Sequence, residues 1–95
     1  MVELNPALQS PIRLKLTTML TGVSEIEFVT LRDHLDVSDS VLSKHISALA
    51  AERYVKSRKA VLDSRRTTWI SLTTEGRKAL SAHVAALREL IAGVE

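Results

Sequence analysis

The sequence predicts an α+β fold: a core of three short helices, then a two-stranded hairpin, then a long final helix. Three observations carry this reading. Apolar residues recur at helical spacing in the first half and again from Leu80 on, with β-forming runs between them. Hydroxyl side chains stand where helix starts need caps, at Ser10, Ser38 and Thr73. A cluster of bases separates the two β-forming runs.

Ser10-Pro11 opens the first helix, a capping hydroxyl followed by proline at the first helical position. Ile12, Leu16, Met19 and Leu20 follow at helical spacing, and Gly22 closes a helix of residues 11–21. Residues 24–27, with Ile26 between two acids, form a brief extended piece. Phe28, Leu31 and Leu35 give one apolar face to a two-turn helix. Asp36-Val37 is a tight connection, because aspartate tolerates left-handed backbone. Ser38 caps the next helix, 39–52, and Asp39 suits its dipole. Val41, Leu42, Ile46 and Leu49 fall on one side of it; Ser40, Ser43, Lys44, Ser47 and Ala51 fall on the other.

The run from Tyr54 to Ala60 reads as a strand, Val61 to Thr67 as a polar basic turn, and Thr68 to Leu72 as the returning strand. Thr73 caps a last helix running from Thr74 to near Val94, with Glu75 in its first turn. Leu80, Val84, Leu87, Ile91 and Val94 are spaced as a heptad seam, widened by Ala86 and Leu90. The domain is expected to span residues 1–95 as one unit, with 74–94 as a dimerisation helix.

Ninety-five residues make one small domain with no room for a separate cofactor domain. No apolar run approaches the ~20 residues of a membrane span, and Met1 opens no secretory h-region. There is no cysteine, hence no disulfide or thiolate metal site. A cytoplasmic location is the expectation. The residues from Arg53 to Arg66 hold six bases against Asp63, net +5; the whole chain is +2, so the rest is −3. A chain that is acidic apart from one basic stripe has an electrostatic address.

Two short helices joined by a tight turn, followed by a hairpin with a basic tip, make a winged helix-turn-helix. The sequence resembles the small winged-helix transcriptional regulators related to the MarR and ArsR types. Three stretches carry the match: Leu42-Ser43-Lys44-His45-Ile46-Ser47-Ala48-Leu49, Tyr54-Val55-Lys56, and Leu72-Thr73-Thr74-Glu75-Gly76-Arg77. The resemblance implies sequence-specific binding of double-stranded DNA, with 39–52 as recognition helix and 56–68 as wing. Relatives usually carry glycine where this chain has Arg53; a left-handed arginine there costs about 1 kcal/mol. The family's wing often carries Asp-x-Arg. Asp63-Ser64-Arg65 matches its letters, whereas counting back from Leu72 puts Arg66 at the family position, so either arginine fits the minor groove.

The candidate DNA-binding residues are Ser38, Ser40, Ser43, Lys44 and Ser47 on the helix, and Lys56, Arg58, Lys59, Arg65 and Arg66 on the wing. Short hydroxyls and one lysine can reach base edges in the major groove; helix N-terminal serines and wing bases suit phosphates and the minor groove. Leu80, Val84, Leu87, Ile91 and Val94 are the candidate homodimer contacts, which place two reader helices on an inverted-repeat operator. The alternative is a winged-helix module whose hydroxyl face docks a protein. Arg77 and Lys78 are expected on the surface, His45 as a packed, hydrogen-bonded core histidine, and Trp69 as a core anchor against the helices. His34, His45 and His83 do not cluster, so no metal or other cofactor is expected. No glycine-rich loop, nucleophile elbow or carboxylate pair indicates an enzyme.

Overall fold

A computed structural model describes residues 3–94; the extreme ends of the expected 1–95 unit lie outside the described residues. After a 3-10 turn at Pro6–Leu8 come α1 (Pro11–Leu20), β1 (Ile26–Glu27), α2 (Phe28–Leu35) and α3 (Asp39–Ala51). The strands β2 (Val55–Leu62) and β3 (Arg65–Leu72) and the helix α4 (Thr74–Ile91) complete the chain. The sheet is antiparallel in the order β1-β3-β2.

The caps act as the sequence indicates. Ser10, Ser38 and Thr73 accept from the backbone N–H of Arg13, Val41 and Gly76 respectively, satisfying donors that a helix start leaves unpaired. Asp36, at φ 53, closes α2 in left-handed backbone. There Val37 N–H donates to Arg32 O and Asp36 N–H to Asp33 O, both at 3.3 Å. Arg53, at φ 64, closes α3 in the same way, with Tyr54 N–H on Leu49 O and Arg53 N–H on Ala50 O, both at 2.9 Å. This is the double-bonded helix end that glycine normally serves; here arginine carries its strain.

The core gathers one face from every major element: Leu16 and Leu20 of α1, Leu31 of α2, Leu42, Ile46 and Leu49 of α3, Val55, Ile70 and Leu72 of the sheet, and Leu80 of α4. Leu8 of the 3-10 turn is fully buried with them. Its segment is tied down by a polar cluster. Asn5 N–H donates to Nδ1 of the buried His83, and Asn5 Nδ2 donates to Tyr54 Oη, each at 2.9 Å.

Several readings need correction. The hairpin turn is only Asp63-Ser64, both at positive φ (51 and 63), as a two-residue turn matching strand twist requires; Val61, Leu62 and the two arginines belong to the strands. Val41 is exposed, because it lies at the margin of the buried stripe set by Leu42, Ile46 and Leu49. Trp69 does not enter the core. Strand alternation puts it on the face opposite the buried Ile70, where Nε1 donates to Thr67 Oγ1 at 3.1 Å. The last helix stops at Ile91, so Val94 lies beyond it. Leu80 is buried in this chain's own core, since the inward line of α4 runs Gly76, Leu80, His83, Ala86 rather than along the heptad seam.

Gly76 shows why the Leu-Thr-x-x-Gly stretch ends as it does. A Cβ there would overlap the Tyr54 carbonyl oxygen and fall 2.7 Å from Leu72 Cδ1. Helix propensity alone favours Gly76→Ala by about 1 kcal/mol, but the overlap is with backbone, and overpacking costs about 1–3 kcal/mol. Gly76→Ala is therefore expected to lower the urea midpoint, by a net loss of up to about 2 kcal/mol. A midpoint that rose would mean α4 can slide away from residue 54.

Candidate nucleic-acid interface

The outer face of α3 is formed by what its inner face requires. With Leu42, Ile46 and Leu49 buried, helical period turns Ser40, Ser43, Lys44 and Ser47 to solvent, and all four are exposed. No acid occurs between Ser40 and Ala51. Of the two acids that flank this stretch, Asp39 and Glu52, Asp39 is held by Arg32, whose Nη1 donates to it at 2.9 Å while Nε donates to Asp33 at 3.1 Å. These bonds, Asp39 first, raise the arginine's pKa and stitch α2 to the start of α3. Ser38 Oγ serves the cap and sits 3.3 Å from Ser40 Oγ.

The hairpin sorts its bases onto two faces. In the register Lys59↔Thr68 and Val61↔Arg66, Lys59 and Arg66 share the face of Ser57 and Ile70, which looks toward α3. A cleft of about 470 Å³ lies between helix and hairpin there, lined by Ser43, Ser47, Ser57, Lys59 and Thr68 over Phe28, Ile46 and Ile70. Lys56, Arg58 and Arg65 are on the opposite face with Trp69. Arg58 makes a two-pronged ion pair with Glu25, its Nε donating at 3.3 Å, and Glu25 raises its pKa by hydrogen bonding and charge. Arg65 Nη2 lies 3.9 Å from Glu27. The +5 stripe is thus partly neutralised on its outer face, and among the described residues neither Lys59 nor Arg66 has an ion-pair partner.

A model of the winged helix DNA-binding domain family matches residues 12–91. The chain belongs to that family. The resemblance carried by the three sequence stretches is borne out. An uncharacterized protein of Methanocaldococcus jannaschii is 29% identical over 86 residues, 90% of this chain and 94% of the relative. A transcriptional regulator homologue from Pyrococcus horikoshii superposes with a TM-score of 0.87 at 26% identity, covering 94% of this chain and 88% of that one. The DNA complex of the Mycobacterium tuberculosis regulator MosR shares the fold, with a TM-score of 0.72 at 21% identity over 94% of this chain and 63% of that one.

In this winged helix chain the β2–β3 hairpin is the wing, and α2–α3 the helix-turn-helix. Glu25 and Glu27, which hold two of the wing's arginines, were not singled out from sequence as partners. Their signal is present, since acids two apart in an extended piece share a face. Arg77, expected on the surface, is exposed yet engaged: Nη1 donates to Thr21 O at 2.9 Å, covering a carbonyl at the end of α1. Among the described residues no group of three metal-ligating side chains forms, and no helix is long and apolar enough to cross a membrane.

His45 is half-buried between α3 and α1, and its Nδ1 accepts from Arg13 Nε at 3.0 Å. That bond requires an unprotonated Nδ1, hence a neutral ring with its proton on Nε2. Burial, and then the Arg13 charge, lowers the pKa from the ordinary 6.5. The unfolded chain therefore binds the proton at higher pH than the folded one, and stability rises with pH in that range. Stability is expected to fall as pH drops below about 6.5. His45→Gln, which keeps an acceptor for Arg13, is expected to flatten that fall in urea melts from about pH 7.5 to about pH 5, across the ordinary histidine range.

Proposed function

We propose that this protein is a sequence-specific regulator of transcription that binds double-stranded DNA as a homodimer. The observation that carries this reading is the shared cleft: the acid-free hydroxyl face of α3 and the unpaired bases of the wing present to one side. A helix fits the major groove, where Ser43, Ser47 and Lys44 can donate to base edges. Ser38 and Ser40 at the helix start suit a phosphate. Arg66, on the helix-facing side of the wing, is the better placed of the two arginines for the adjacent minor groove, and Lys59 supports it. Lys56, Arg58 and Arg65 supply a more distant positive field. The family match and the MosR complex with DNA support this reading.

The dimer rests on α4. Val84 and Leu87 are only partly covered, while Leu90, Ile91 and Val94 are 64%, 57% and 81% exposed. Such a patch at the free end of a helix calls for a second copy. A two-fold pairing of the C-terminal helices covers it and sets two α3 helices for half-sites about one DNA turn apart.

Selection of bound sequences from a random duplex pool, at stated salt, tests the reading; an inverted repeat is the expected product. Lys44→Ala is expected to lose about 1–3 kcal/mol of discrimination between the selected and a scrambled duplex. Arg66→Ala is expected to flatten the slope of log affinity against log salt by about one, whereas Arg58→Ala changes it less because Glu25 already pairs that charge. Leu90→Glu with Ile91→Glu is expected to sediment as a folded monomer and to bind the full operator much more weakly than the parent.

A further inference from the structure

The exposed apolar residues of this elongated molecule, 53 Å in its longest dimension, include a second group besides the end of α4. At the wing tip Val61 is 72% exposed and Leu62 50% exposed. They are consecutive strand residues, so they point to opposite faces of the ribbon. Val61 pairs with Arg66 on the helix-facing side, and Leu62 pairs with Arg65 on the other. The two-residue turn at Asp63-Ser64 keeps the tip narrow. Strand propensity accounts for a valine here; it does not account for an exposed leucine beside it. A second copy is a poor occupant, because its own wing tip carries the same excess of positive charge. A polyanion with apolar walls is a good one.

We propose that Val61 and Leu62, one on each face of the wing tip, pack against the deoxyribose walls of the DNA minor groove. This inference rests on the DNA-binding reading above. The groove is about 6 Å wide, and its walls present sugar C–H groups between the phosphates. A ribbon tip standing edge-on at the mouth of the groove sets one face toward each sugar-phosphate wall. Lys59 and Arg66 then lie beside the phosphates, while the two apolar side chains lose water against carbon. Such contacts release no counterions. They supply a part of the affinity that salt does not weaken, and the basic side chains supply the part that it does.

The test is fluorescence anisotropy of a labelled mixed-sequence duplex across a salt series. The variant is Val61→Thr with Leu62→Thr, which puts a β-branched strand former at both positions. Its affinity is expected to fall about tenfold at every salt concentration, giving a line parallel to the parent's. Val61→Ile is expected to retain parental affinity, and thermal melting of both variants to stay at the parental midpoint. Equal affinity of the threonine variant and the parent overturns the proposal while leaving the DNA-binding reading intact. So does a loss that appears only as a changed salt slope, or a change in sedimentation in place of DNA affinity. A parent protein that fails to bind the duplex removes both readings.

Discussion

The angle between α3 and the wing depends on one peptide carbonyl, that of Tyr54. Thr73 N–H donates to it at 2.9 Å, and the Thr73 hydroxyl lies 2.6 Å from Arg53 O and 3.1 Å from Tyr54 O. Gly76 packs directly on that carbonyl. Three events thus meet within a few ångströms: the left-handed end of α3, the first residue before β2, and the start of α4. A side chain at residue 76 or a lost hydroxyl at residue 73 would move the wing relative to the helix. Arg53 bears unfavourable backbone at this junction, which the surrounding hydrogen bonds hold in place.

Charge follows from the same architecture. A linear count finds a +5 stripe, but a hairpin has two faces, and β1 brings its acids against only one of them. Glu25 and Glu27 pair with the outer arginines, leaving the inner bases beside the acid-free helix. Exposed ion pairs contribute little to stability. Their more consequential effect is directional, because they weaken the positive field on the side of the wing away from the reader helix.

Much of the fold was legible because its determinants are local. Ser10, Ser38 and Thr73 announce their helices by residue type, and Asp36 announces its turn. The buried stripes follow from spacing within single elements. What escaped the reading was set by partners distant in sequence. Trp69 reads from sequence as a core anchor on the returning strand, yet strand parity, fixed by the pairing of β3 with β1, turns it outward. Basic residues make Val61 to Thr67 read as a long polar turn, although Leu62 and Arg65 pair across only two residues. On the candidate interface, the face of α3 was readable from period alone. The division of the wing's bases into paired and unpaired was not, since it needs a register and two glutamates more than thirty residues away.

The bond from Asn5 to His83 joins residues 78 apart in the chain. It has a bearing on how the molecule is assembled. As the polypeptide is synthesised, the segment around Asn5 emerges before α4, which holds its anchor. Leu8, fully buried in the finished protein, therefore waits without its α4 support while the reader helix and wing are being made. The winged-helix elements can associate through nearer contacts in the meantime. Docking of the first residues marks the completion of the domain, since only a chain translated through α4 offers them a seat, and closing so long a loop comes late in folding.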